Sequence, residues 1–225
     1  MGALANFYAS SIGAKVVMAM TGFLWFVFLI GHMVGNWQVF QGPEPLNAYA
    51  YFLQSHPVLL WTARAGLTVT FILHVWSATR LTLANQKARP QAYVKKSVLQ
   101  ATWASRNMFI TGVMVLSFLA YHLLQFTYGV TNPEISSYRD PLGHSDVYRM
   151  VVAGFQIPAI SAAYFAAMIL LGLHLQHGVS SMFQSVGLNR PRYNHFVNAI
   201  GPLFAIVMTA GNSAMPIAIL AGWVQ

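Results

Sequence analysis

Five stretches of this 225-residue chain are long and apolar enough to cross a bilayer as helices, which takes about 20 residues each. They run Ile12–Phe40, Val58–Asn85, Ala104–Gly129, Gln156–Phe183 and Ala199–Trp223. A spanning segment in lipid must satisfy its own backbone hydrogen bonds, so five of them in one chain imply a bundle of helices. The composition agrees, since 56% of the residues are hydrophobic and 7% charged, too few charges for the surface of a water-soluble domain this size. The expected fold class is all-α integral membrane protein, one transmembrane domain over residues 1–225. Turn chemistry separates the spans, with QGPEP, NQKARP, TNPE and LNRPR in the successive gaps. Pro57 and Pro158 suit helix starts, while Pro216 is expected to bend the last helix. The opening residues MGALANFYASSIGAKVV lack the basic segment, apolar core and small-residue site of a signal peptide in the right order, so the N-terminus reads as mature.

Charge orients the bundle. With five crossings, the N-terminus and the loops at 86–103 and 184–198 share one side. That side and its flanks carry Lys15, Arg80, Lys87, Arg89, Lys95, Lys96, Arg106, Arg190 and Arg192, nine of the twelve basic residues. The other side holds Arg64, Arg139 and Arg149 with all four acids, Glu44, Glu134, Asp140 and Asp146. The positive-inside rule then puts the N-terminus in the cytoplasm and the C-terminus outside. This asymmetry accounts for the formal charge of +8 without a nucleic-acid partner.

The chain has no cysteine, so it forms no disulfide, holds no iron–sulfur cluster with its own thiolates and attaches no c-type haem. It has eight histidines, and His32, His74, His122 and His174 fall one each in the first four spans. At about 1.5 Å per residue, His32 and His122 lie about 27 to 30 Å from the cytoplasmic ends of their helices, and His74 and His174 about 15 to 17 Å from theirs. Two depths with two rings each is what two six-coordinate haems require. A single membrane histidine can instead tie one helix to another. Zinc is disfavoured because neither level offers a Cys, Asp or Glu as third ligand, and a proton path because the helix interiors hold no carboxylate. Gly22, Gly31 and Gly35 in the first span, with Gly66, Gly112 and Gly172 in the next three, would let a flat macrocycle approach the backbone or simply pack helices. Arg64 lies about 10 Å inside the outer end of the second span, level with His32 and His122, and suits a haem propionate or the outer headgroups.

The segments GHMVGNWQVF, YAYFLQSHPVLLWTARAGLTVTFILHVWSATRL and HLQHGVSSMFQSVGL resemble the cytochrome b membrane-anchor subunit of succinate dehydrogenases and fumarate reductases, of the single-chain, five-helix, two-haem type. The likeness covers nearly the whole chain. It implies five helices around two stacked b haems, in a bacterial cytoplasmic membrane. It also implies partners on the cytoplasmic face: a flavoprotein subunit that oxidises succinate, and an iron–sulfur subunit that passes electrons to this chain for delivery to quinone, with menaquinone favoured. Succinate oxidation, the flavin and the iron–sulfur clusters would all belong to those partners, and the complex could form a higher oligomer. Residue by residue, the resemblance assigns His74 and His174 to the inner haem and His32 and His122 to the outer.

In HLQHG, His174 matches the family position, leaving His177, about 5 Å nearer the cytoplasm, as a candidate propionate or quinone contact or an ordinary interfacial residue. Some fumarate reductases of this family carry a glutamate two residues before the last ligand, where this chain has Gly172, so coupled proton transfer by that route is in doubt. Asn36, Trp37, Glu44, Asn47 and His56 lie close to the outer level and are candidates for a quinone site, or for a plain solvated loop. The basic loop from Lys87 to Arg106, in which YVKKSVLQ reads as a short amphipathic piece, would dock the iron–sulfur subunit or meet anionic lipid. Alternative readings are a b-type cytochrome anchor of a hydrogenase or formate dehydrogenase, and a haemless anchor or transporter whose histidines only join helices.

Overall fold

The computed structural model describes residues 2–88, 102–188 and 190–225. Among them the regular structure is helical, apart from an isolated bridge between Arg139 and Ser145. In chain order the helices are α1 (Ala3–Ala9), α2 (Ser11–Asn36), α3 (Pro43–Ser55), α4 (Pro57–Lys87), α5 (Trp103–Arg106), α6 (Met108–His122), α7 (Pro133–Ser136), α8 (Val147–Phe155), α9 (Pro158–Ser185) and α10 (Asn194–Leu220). A 3-10 turn, Trp37–Gln41, extends α2, and a π turn, Leu123–Thr127, extends α6. Five of these segments are long and apolar enough to cross a membrane: Ser11–Gln41, Pro57–Lys87, Met108–Thr127, Pro158–Ser185 and Asn194–Leu220. Their outward faces carry large apolar side chains such as Ile72 and Trp76, each 60% exposed, and Ile206, 66% exposed. Such surfaces suit hydrocarbon and not water.

Local chemistry explains the boundaries. Pro57 and Pro158 are the first residues of α4 and α9, where a missing N–H removes no helix bond. Ser10 accepts from the N–H of Gly13 (2.9 Å) and so caps α2. Gly42, with φ of 103°, turns the chain from the 3-10 extension into α3, a backbone angle that disfavours other residues. The third span differs from the expected Ala104–Gly129: it breaks at Asn107 (φ −109°, ψ 15°) and ends in the π turn, closed by Tyr128 N–H donating to the Leu123 carbonyl at 2.9 Å. The last helix begins at Asn194, five residues before the expected Ala199, because polar Asn194, His195 and Asn198 hide a helical first turn from an apolar scan. It runs on through Pro216 to Leu220. The YVKKSVLQ segment lies outside the described residues.

The chain divides into two compact units, each with parts of all five long helices. The first comprises Met1–Val27, Ala65–Gly112 and Leu173–Ala205. In it α1 is fixed to α4: the Arg80 guanidinium donates to the carbonyls of Tyr8 and Ala9 and lies over the Tyr8 ring, and the Tyr8 hydroxyl meets fully buried Ser77 at 3.3 Å. A cation on the orphan carbonyls at a helix C-terminus is favourable on both charge and hydrogen-bond grounds.

The second unit comprises Phe28–Arg64, Val113–Gly172 and Ile206–Gln225. Its core contains Val39, Leu46, Tyr148, Phe155, Tyr164 and Ile219. Here the stretches that read as loops contain α3, α7 and α8, and α3 packs against α8 and the 3-10 turn. Asn47 joins α3 to α8 by donating to Asp146 Oδ1 (2.9 Å) and accepting from the N–H of Tyr148 (2.9 Å), while Asp146 caps α8 through the N–H of Arg149 (3.0 Å). The Trp37 indole donates to the Gly211 carbonyl (2.8 Å) and the Tyr148 hydroxyl to the carbonyl of Gln225 (2.8 Å), which secures α10 and the C-terminus.

Candidate functional site

The four membrane histidines sort by unit as they sort by depth. His74 and His174 belong to the first unit, His32 and His122 to the second. Among the described residues no three His, Cys, Asp or Glu side chains converge on one point, so any metal-ligand set would come as pairs.

In the first unit the His74 ring lies against α2. Its Nδ1 is 3.1 Å from the Met18 carbonyl and 3.3 Å from Thr21 Oγ1. A carbonyl can only accept, so Nδ1 carries the proton and Nε2 is left with a bare lone pair. A methyl at Gly22 would come 3.3 Å from His74 Cε1, so the glycine lets the ring seat on the helix. The second histidine repeats this on another helix pair: His174 Nδ1 on α9 is 3.3 Å from Thr111 Oγ1 on α6, and a methyl at Gly112 would come 3.4 Å from His174 Cε1. His174 lies within electrostatic range of both His74 and His177.

In the second unit the rings of His32 and His122 approach each other directly, with centroids 5.8 Å apart and planes at 89°. Two imidazoles on opposite sides of one metal ion, each bonded through nitrogen at about 2 Å, have centroids about 6 Å apart. The His122 Nδ1 is 3.1 Å from the hydroxyl of buried Tyr164, and Phe28, Phe118 and Phe126 flank the two rings. A methyl at Gly31, next to His32, or at Gly66 in the first unit would meet nothing within 4 Å.

The chain matches no family model, no curated protein and no solved structure. What the site can do therefore rests on its own residues.

In the second unit the spacing of His32 and His122 would suit a shared metal ion, and in the first His74 offers an unprotonated Nε2. The glycines divide between two uses. Gly22 and Gly112 make room for histidine rings of neighbouring helices, and the space at Gly35 is taken by the Tyr49 ring, 2.9 Å from where a methyl would sit. Gly31 and Gly66 leave open space, and Gly172 is buried. Arg64 is exposed on α4 with its guanidinium 5.1 Å from the Trp61 ring centre. His177 is half-buried on α9, one turn beyond His174.

The quinone candidates fall at the 3-10 turn after α2 and along α3, which pack against each other. Asn36 bonds back to the His32 carbonyl (2.8 Å), and Trp37 and Asn47 are engaged in the structural bonds given above. Glu44 is exposed in the first turn of α3 and His56 follows its last residue, about 18 Å further along the axis. His56 and Thr62 border an open groove where α3 meets α4. Thr21, Thr111 and Tyr164 were not legible as ligand partners, because their contacts lie 53, 63 and 42 residues away in sequence.

Proposed function

We propose that this chain is the membrane anchor and electron-transfer subunit of a succinate:quinone oxidoreductase. In this reading it lies in a bacterial cytoplasmic membrane with its N-terminus in the cytoplasm. There it binds a flavoprotein and an iron–sulfur subunit and passes electrons to a quinone, menaquinone by resemblance. The observation that carries the reading is the partition of four membrane histidines into two pairs, one in each compact unit.

His74 and His174 would hold one haem b, His32 and His122 the other. A haem with two imidazole ligands supplies one-electron transfer and has no open position for oxygen or substrate. The protein's part is to fix the rings and exclude water. Tyr164 and the phenylalanines around His122 supply a low-polarity wall, and burial of that kind tunes potential. Arg64 on α4 would be the cation that meets a propionate. The basic residues of the Lys87 to Arg106 loop would meet the iron–sulfur subunit.

A pyridine haemochrome assay on the purified chain should return two haems b per polypeptide, and one or none defeats the reading. Copurification of a flavin-containing, succinate-oxidising subunit separates it from a hydrogenase or formate dehydrogenase anchor. Charge reversal at Lys95 and Lys96 should loosen the complex during purification while both haems remain; an intact complex of normal activity would remove the docking role.

A further inference from the structure

We infer that Thr21–Gly22 on α2 and Thr111–Gly112 on α6 form a repeated clip that holds His74 and His174 by Nδ1, so that the two threonines are positioning residues for a single haem. The inference rests on the proposed function and adds to it the residues that set the chemistry of one ligand pair.

The same dipeptide recurs on two helices and meets a histidine of a different helix each time. The hydroxyl-to-Nδ1 distance is 3.3 Å in both cases, and the methyl-to-Cε1 distance would be 3.3 and 3.4 Å. Both threonines are buried, 5% and 1% exposed, and both direct their proton into their own helix. Thr21 donates to the carbonyl of Val17 at 2.7 Å, and Thr111 to that of Met108 at 3.1 Å. The oxygen is therefore left as an acceptor facing Nδ1, which fixes the Nδ1–H tautomer and leaves Nε2 bare. Gly22 and Gly112 complete the seat, since each brings its helix backbone close under the edge of the ring. The clip is particular to this pair: His122 meets the phenol of Tyr164, which can donate as well as accept.

The two clips differ in one respect. His74 Nδ1 has the Met18 carbonyl as second acceptor, whereas Thr111 is the one acceptor on His174 Nδ1 among the described residues. Losing the acceptor makes the imidazole a weaker base and favours the reduced iron. Thr111→Val should therefore move the larger amount and Thr21→Val the smaller.

The test is an optical redox titration with low-temperature electron paramagnetic resonance, on membranes holding the full chain with its haems. In Thr111→Val the midpoint potential of one component should rise and its ferric signal change, while the other component stays put. Thr21→Val should move the same component less, and Thr111→Ser should restore it. Should Thr111→Val fail to accumulate, Thr111→Ala must shift that component in the same direction, because it also removes the acceptor from His174 Nδ1. Two haems with wild-type potentials and signals in these variants would overturn the clip and leave the proposed function standing. A wild-type chain without haem would overturn both.

Discussion

His32→Leu and His122→Leu should each erase the same haem component from a reduced-minus-oxidised spectrum, and leave the other component in place. The two rings lie 5.8 Å apart within one unit, so under the proposed function removing either would take away one of the two nitrogens that would hold the same iron. Loss of a residue that merely supports a ligand costs roughly 10- to 100-fold in metal affinity, and loss of the ligand itself costs more. His74→Leu and His174→Leu should erase the second component instead, and also stop electron flow from the iron–sulfur partner to quinone on the outer side. His177→Leu should keep both haems. The pattern across four variants is the informative quantity, because general misfolding would remove both components together. One common component lost in His32→Leu and His74→Leu would break the pairing.

Gly201→Ala should destabilise the chain by about 3 kcal/mol, the upper part of the range for overpacking. A methyl there would run into the backbone carbonyl of Gln176 and the hydroxyl of Ser180, so α10 and α9 touch almost backbone to backbone within the first unit. Neither helix can relieve that clash by turning a side chain. Alanine gains about 1 kcal/mol of helix propensity over glycine, which the overlap outweighs. Gly211→Ala gains the same propensity but meets the Met33 sulfur at 2.5 Å and Trp37 at 3.1 Å, and the thioether can move aside. It should therefore cost under about 1 kcal/mol. Thermal unfolding in detergent compares the two, and equal melting temperatures would contradict the close approach of α9 and α10. Gln176 lies two residues from His174, so Gly201→Ala should also weaken the haem of that ligand before the other.

The five long helices were legible because apolar runs of such length have one use in a bilayer, and Pro57 and Pro158 mark starts by an effect confined to one residue. The histidines stood out because a polar ring in an apolar helix calls for a partner. Helices α3, α7 and α8 were not legible. They are short, and their buried residues, such as Leu46, Ile135 and Val152, lie among polar residues that read as loop. The glycines were seen as thin places in the helix, but what fills the gap belongs to another helix, as His74 does at Gly22. A threonine in a membrane helix usually bonds to its own backbone, and Thr21 and Thr111 do that too. Nothing local reveals that their remaining lone pair faces an imidazole.

The π turn that follows His122 has a consequence for how the chain tolerates change. A π turn closes over one residue more than an α turn, so it takes up an extra residue between His122 and Tyr128 within nearly the same sweep around the axis. Deleting one residue between Leu123 and Thr127 would turn it into an ordinary α turn and leave Tyr128 and the backbone after it near their present bearing. His122 lies before the bulge and would keep its bearing toward Tyr164. The stretch from Leu123 to Thr127 can thus drift in length by a residue without turning the imidazole or redirecting the loop that leads to α7.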